Sequence, residues 1–164
     1  MPTLVPLIGL CRAIGAALEA AGAPRPASIG LILADDPELA SLNATHLGKD
    51  GATDVLSFPL LPASAFPPHL GASPLGNVGA SAVPFALPPG RRPHLGDIVV
   101  SVERAIEQAE AGRGGQTGDV RWSPADELRL LVTHGTLHIC GWDHAEPADE
   151  AAMRALEQRL LVAR

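Results

Sequence analysis

The sequence predicts a small α/β domain of the α+β type, in which one small mixed sheet packs against helices around a central metal-binding helix. Short runs rich in branched aliphatic residues alternate with segments whose apolar residues recur at helical spacing. The chain has 164 residues, of which 46% are apolar and 18% are charged, as is typical of a folded domain of this length. We therefore expect residues 1–164 to form a single domain.

The first part of the chain predicts two helices and a buried strand. Leucines and isoleucines at helical spacing predict a helix over residues 4–21. Residues 28–34 form an apolar run between turn residues and predict a strand. Asp36 is expected to cap a short second helix that has Pro37 at its first position and ends near His46.

Two strands in the middle of the chain are separated by a long proline-rich segment. Residues 54–58 and 97–101 are rich in Val, Ile, Leu and Phe, so they are predicted to share a sheet. Between them, residues 59–94 are rich in Pro and Gly, and their only charged residues are Arg91 and Arg92. We expect this segment to bury no regular face and to form a long, partly mobile loop insertion within the domain.

The last part of the chain predicts three further helices. The first spans residues 102–111. Ser123 is a suitable N-cap for a long helix over residues 124–140, which Gly141 ends. Residues 147–162 have Met and Leu at helical spacing and predict the closing helix. Three charged residues are expected on the solvent side of that helix: Arg154, Glu157 and Arg159.

Composition disfavours several classes of function. A net charge of −6 gives no broad attraction to phosphates or anionic lipids, so any contact with nucleic acid has to be local. Arg12 and Glu19 interrupt the longest apolar stretch, and no basic residue precedes it, so we expect neither a membrane span nor a signal peptide. Two distant cysteines, Cys11 and Cys140, predict no disulfide and favour the cytoplasm.

The candidate functional residues are a cluster of three histidines. His134 and His138 are one helical turn apart, so both imidazoles project from one face of the predicted helix. Gly141 can adopt the left-handed conformation that turns the chain back, which would bring His144 to the same point. Three protein ligands with one open position are typical of a catalytic zinc site, whereas structural sites are usually closed by four. We predict one zinc ion per chain, held by these three histidines.

Other interpretations of the same segment stay open. The spacing HxxxHxxGxxH also occurs in metzincin peptidases, in which a Glu after the first His is the general base. Gly135 stands at that position here, which disfavours a peptidase. Cys140 lies on another side of the helix from His138 and is interpreted as a small core residue. The plain alternative is that the three histidines are ordinary residues of an amphipathic helix and a turn.

With Gly135 in place, the segment resembles the HGxLHLxGYDH signature of the YbeY family of bacterial rRNA-maturation factors, which are metal-dependent endoribonucleases. The resemblance extends from about residue 28 onward, apart from residues 59–94. It rests also on Leu42-Asn43, Thr53–Pro59, Leu95–Val99, Glu127-Leu128 and Met153, which agree with the family in order and spacing.

The resemblance implies an α/β fold and a zinc ion bound by His134, His138 and His144. It further implies cleavage of single-stranded RNA during rRNA processing, including maturation of the 16S rRNA 3′ end, and a role in ribosome quality control. The small ribosomal subunit and its assembly factors are the partners that it implies.

Two features depart from the family pattern. The family usually has an Arg after an aromatic residue at the end of the Asn-containing helix, where this chain has His46 and Leu47. A positive charge beside the metal cleft is then missing unless Arg91 or Arg92 supplies it, although a solvated pair on the loop is the favoured interpretation. The proline-rich insertion is also longer than usual. It could form a lid, but we expect it simply to be tolerated, because loop length costs little entropy.

The sequence leaves the general base unassigned. Asp143 precedes a predicted ligand and is expected to orient an imidazole through its second nitrogen. Thr53 and Ser57 are further candidates for binding substrate, beside Arg91 and Arg92. Three functions remain open: a zinc-dependent endoribonuclease, which we favour; a ribosome-assembly factor with a metal site but little nuclease activity; and a metal-dependent hydrolase of another substrate.

Overall fold

The computed structural model describes residues 7–69, 89–112 and 122–163. Within these ranges the chain forms five helices, three strands and a short 3-10 helix at Ala63–Ala65. In chain order the main elements are α1 (Leu7–Ala20), β1 (Ser28–Ala34), α2 (Asp36–Leu47), β2 (Val55–Pro59), β3 (His94–Ser101), α3 (Val102–Glu110), α4 (Pro124–Ile139) and α5 (Pro147–Val162). The predicted α+β class is confirmed.

The three strands form one mixed sheet in the order β1-β3-β2. β1 runs parallel to β3, and β2 runs antiparallel to it, which confirms that the two middle strands share a sheet. β3 begins at His94, earlier than predicted, because Gly96 lies inside the strand and pairs with Pro59 of β2. The central strand is buried at six of its eight positions, as expected of a strand covered on both faces.

Helices cover both faces of the sheet, and α4 lies at the centre of the larger layer. α4 contacts β2 and β3, and it also packs against α1, α3 and α5. On the other face, α2 packs its Leu39 against Leu56 and Val99. The main core consists largely of Leu, Ile, Val and Ala, as the composition predicts; it includes Leu10, Ile14, Leu95, Ile98, Val100, Leu128, Leu131, Val132, Leu137 and Ile139.

The start of α2 differs from the prediction. Asp35, and not Asp36, is the N-cap, since its carboxylate accepts a hydrogen bond of 3.0 Å from the Glu38 N–H. The Asp36 carboxylate instead accepts hydrogen bonds from the Ser101 hydroxyl at 2.6 Å and from Nε of Arg104 at 3.0 Å. The second acidic residue therefore joins α2 to the start of α3.

The proline-rich segment contributes to the core in its first part. Phe66, which directly follows the short 3-10 helix, is 4% exposed, and Leu61 packs against the main core. Both side chains belong to loop backbone beside a single 3-10 turn, so this part contributes to the core without burying the face of a regular helix or strand. Residues 70–88 lie outside the described ranges, where the predicted loop stays a prediction.

None of the helices in the described ranges is long and apolar enough to cross a membrane.

Candidate metal centre

Helix α4 presents two of the three histidines. The predicted N-cap, Ser123, fixes its start as part of a capping box: the Ser123 hydroxyl accepts from the Asp126 N–H at 3.2 Å, and the Asp126 carboxylate accepts from the Ser123 N–H at 3.0 Å. Because residues four apart share a helix face, the rings of His134 and His138 lie with their centroids 4.5 Å apart.

Gly135 lies where α4 comes closest to the sheet. A Cβ atom at this position would lie 2.8 Å from Cγ2 of Ile98 and 3.2 Å from Cγ2 of Val55. The Ser57 hydroxyl donates a hydrogen bond of 3.1 Å to the Gly135 carbonyl, which ties α4 to β2. A glutamate side chain has no room here, so the fold gives a steric reason for the absence of a metzincin-type base.

The turn after α4 brings in the third histidine. Gly141 has a φ of 85°, the left-handed conformation that ends the helix. Beyond it, the ring of His144 lies with its centroid 5.5 Å from that of His134 and 5.0 Å from that of His138. One ligand atom from each of the three histidines lies within 4.8 Å of the others, so together they could hold a metal ion.

Contacts at the Nδ1 atoms orient the two helical imidazoles. Nδ1 of His138 donates to the Trp142 carbonyl at 2.8 Å, and Nδ1 of His134 lies 2.5 Å from Oε1 of Glu157. The two Nε2 atoms are left 3.0 Å apart. Two nitrogen lone pairs at this distance repel each other unless a cation or a proton lies between them, so the donor set fits a metal ion.

Electrostatics favour the neutral form of His138. Desolvation by burial, and then the neighbouring imidazoles of His134 and His144, lower the pKa of His138 from 6.5 to about 4. The Trp142 carbonyl and Asp143 act in the opposite direction. Neutral imidazole is the form that binds a metal, so His138 is ready to bind at neutral pH without losing a proton.

Cys140 is completely buried in the main core, as interpreted from the sequence. Burial raises the pKa of its thiol to about 12. A thiol held in its protonated form is a poor metal ligand, because metals bind the thiolate.

A cavity of about 250 Å³ lies beside the histidine cluster. Its wall includes His134 and His144, together with Asp54, Trp122 and Arg154. The indole N–H of Trp122 donates to the Glu127 carboxylate at 2.6 Å, which holds this ring at the start of α4. A substrate in the cavity would therefore lie next to the nitrogens of two candidate ligands.

None of the four candidate residues for substrate binding is part of the described wall of this cavity. Ser57 contacts α4, and the Thr53 hydroxyl donates to the Asp54 carboxylate at 3.4 Å. Arg91 and Arg92 are exposed on the segment before β3. These four residues stay candidates on the sequence argument alone.

Asp143 and Leu47 occupy different surroundings. The Asp143 carboxylate accepts a hydrogen bond of 2.7 Å from the backbone N–H of His144, so it contacts the backbone of that candidate ligand. Leu47, at the end of α2, is 54% exposed and is not part of the described wall of the cavity.

Glu157 is the residue of the site that sequence reasoning missed. It was expected on the solvent side of the last helix, yet it is 8% exposed and contacts His134. A signal was available: Met153 and Glu157 are four residues apart and share one helix face, and Met153 is a core residue.

Comparisons with known proteins identify a family and support the fold. The family model described as endoribonuclease YbeY matches residues 10–163. The solution structure of TM1509 from Thermotoga maritima aligns with a TM-score of 0.50 at 20% identity, covering 94% of this chain and 78% of that one, and it supports the fold alone.

Curated relatives named endoribonuclease YbeY align over most of the chain. The Salinispora tropica protein is 41% identical, with 88% of this chain and 79% of the relative covered. The Symbiobacterium thermophilum protein is 37% identical, with coverages of 88% and 78%. The Roseiflexus sp. protein is 34% identical, with coverages of 92% and 78%. On these matches the chain belongs to the YbeY family of endoribonucleases.

Proposed function

We propose that this chain is a zinc-dependent endoribonuclease that cleaves single-stranded RNA in ribosome maturation, with His134, His138 and His144 as the metal ligands. The observation that carries the proposal is the convergence of three imidazole nitrogens beside a cavity, in a chain that belongs to the YbeY family. The proposed substrates and partners are rRNA, including the 16S rRNA 3′ end, and the small ribosomal subunit with its assembly factors, in the cytoplasm. Residues 1–164 are proposed to act as one domain, because the family match spans residues 10–163.

Zinc is the metal that the donor set supports best. Three imidazoles and no thiolate are typical of catalytic zinc sites with an open position. When bound, zinc would supply a Lewis acid for the phosphodiester and would lower the pKa of coordinated water toward neutrality. The chain's own contribution is to hold the Nδ1 atoms of His134 and His138, so that both Nε2 atoms face the same point.

The charges around the cavity make the metal important for phosphate binding. Asp54, Glu150 and Glu157 place three carboxylates in its wall. The one Arg of the described wall, Arg154, forms an ion pair of 2.7 Å with Glu150. Three carboxylates and one paired Arg do not attract a phosphodiester. Binding of RNA in this cavity therefore depends on the metal and on contacts outside the cavity.

An RNA cleavage assay tests the proposal. Purified parent protein is expected to cut a single-stranded RNA that carries the 16S 3′ end and to leave a duplex uncut. Cleavage should be lost in His134→Ala and His138→Ala, and zinc should restore it after chelation only in the parent. His94→Ala is the matched control, because His94 is an exposed histidine that contacts Ser28 and Asp97 instead of the cluster. Cleavage that survives in both ligand variants would refute the proposal.

A ribosome-assembly factor with little nuclease activity is the second candidate. Leu47 stands where the family usually has an Arg, and the charged side chains of the cavity wall are three carboxylates and one Arg. This alternative predicts that small-subunit particles bind the protein equally well with and without metal, and that no RNA is cut. Co-sedimentation with particles, in parallel with the cleavage assay, separates the two candidates.

A further inference from the structure

Glu157 is a buried carboxylate on α5 that contacts His134 and is not part of the three-histidine motif. Its Oε1 atom lies 2.5 Å from Nδ1 of His134, and the residue is 8% exposed. Burying a charged group costs free energy unless a partner compensates, so this position calls for a specific role. The packing of α5 on α4 brings the two side chains together.

We propose that Glu157 is a positioning residue that holds the His134 ring with its proton on Nδ1 and its Nε2 atom aimed at the metal. An ionised carboxylate can only accept hydrogen bonds, so the short contact requires the proton on Nδ1. Nε2 of His134 is then a lone-pair donor, and it is the atom that lies 3.0 Å from Nε2 of His138. The inference rests on the proposed metal site and adds a residue to it.

The two helical ligands are oriented by different means. His138 uses the Trp142 carbonyl, which belongs to the turn that ends α4. His134 uses a side chain from another helix, so its orientation depends on how α5 packs against α4. A backbone carbonyl cannot be removed by substitution, but a carboxylate can. The role of Glu157 is therefore open to a direct test.

Zinc affinity is the first readout. Titration of the protein with Zn²⁺ in competition with a chromophoric chelator should show Glu157→Leu binding about 10- to 100-fold more weakly than the parent. Glu157→Gln should lose less, because its amide oxygen still accepts a hydrogen bond and its shape is nearly unchanged. Glu150→Gln is the control: Glu150 lies in the same cavity wall on the same helix, but it pairs with Arg154 and not with a histidine. We expect its zinc affinity to equal that of the parent.

The tautomer of His134 is the second readout, and it needs no metal. Long-range ¹H–¹⁵N spectra of metal-free protein should show the Nδ1–H form in the parent and a mixture of tautomers in Glu157→Leu. Parent-like zinc affinity together with a parent-like tautomer in Glu157→Leu would overturn the inference. If Glu157→Leu does not fold, Glu157→Ala takes its place, because it also removes the acceptor; parent-like zinc affinity together with a parent-like tautomer in that variant overturns the inference as well. Failure of the metal site itself is recognised separately, because His134→Ala would then bind zinc as tightly as the parent.

Discussion

The nitrogen that each imidazole leaves free decides what the histidine cluster can bind. His134 and His138 each have Nδ1 occupied by an acceptor, and their Nε2 atoms converge. Helical spacing is enough to predict that these two residues share a helix face, and Gly141 indicates the turn that brings His144 to the same point. It could not predict the carboxylate partner, because that contact depends on how a separate helix packs, which no local pattern encodes. The spacing of Glu157 from the core residue Met153 was the only local sign.

The depressed pKa of His138 predicts how the stability of metal-free protein depends on pH. Its pKa is about 4 in the folded chain against 6.5 for the free side chain, so the unfolded state takes up a proton first as the pH falls. The free energy of unfolding should therefore fall between about pH 6.5 and pH 4, by about 1.4 kcal/mol per unit of pKa difference. Urea unfolding of metal-free parent and His138→Gln over this range measures it. An equally steep decline in both proteins would contradict the assignment to His138.

Gly141 is the residue whose backbone conformation closes the cluster. Ala at this position would be strained by the φ of 85°, and its Cβ would lie 2.8 Å from Cβ of Ala63. We expect Gly141→Ala to lower the free energy of unfolding by about 1–3 kcal/mol and to weaken zinc binding. Gly112→Ala is the control, because Gly112 has a φ of 73° but no atom of the described residues lies within 4 Å of its Cβ position. Equal destabilisation by the two substitutions in urea titrations would argue against the contact with Ala63.

Individual helices and loops show which structural features could be predicted from local sequence alone. The N-cap at Ser123 and the bounds of α5, Pro147–Val162, could be predicted from the sequence because the cap residue and the apolar spacing are local. The start of α2 was predicted one residue late, because two adjacent acidic residues can both cap and only the contact of Asp36 with Ser101 and Arg104 separates them. The burial of Phe66 was missed for a similar reason, since its partners are distant in sequence.

The close approach of α4 to the sheet yields a prediction at the scale of elements. Gly135→Ala should lower the free energy of unfolding by about 1–3 kcal/mol, because the new Cβ would lie 2.8 Å from Ile98. Gly15 lies on the exposed face of α1, and no atom of the described residues lies within 4 Å of its Cβ position. Gly15→Ala should instead raise the free energy of unfolding by about 0.5–1 kcal/mol. Urea denaturation of both variants provides the comparison. A Gly135→Ala protein as stable as Gly15→Ala would mean that α4 lies farther from β3 than described.

At the scale of the whole molecule, the charge distribution limits how RNA can bind at the site. The chain has a net charge of −6, and three of the four Asp, Glu and Arg side chains in the cavity wall are acidic, so little positive charge lies where RNA would bind. The α+β class and the helix that contains His134 and His138 could be predicted from the sequence, because helical spacing and short aliphatic runs indicate helices and strands locally. The order of the strands could not, because it depends on contacts between segments far apart in the chain.

This charge distribution predicts a weak dependence of RNA binding on salt. Each phosphate that a protein neutralises on single-stranded nucleic acid contributes a slope of about −0.7 to a plot of log affinity against log salt concentration. With few basic side chains at the site, we expect a total slope no steeper than about −2, the value for roughly three phosphates. Fluorescence anisotropy with a labelled single-stranded RNA and zinc-loaded protein measures it. A much steeper slope would reveal an extended basic surface that contradicts the local contact argued above.

The most direct test of the account is the metal content of the protein purified without an affinity tag. Elemental analysis should find one zinc ion per chain in the parent and none in the variant that combines His134→Ala, His138→Ala and His144→Ala. A parent that neither carries nor takes up zinc, or a triple variant that retains as much as the parent, would contradict the claim that these three imidazoles form a metal centre.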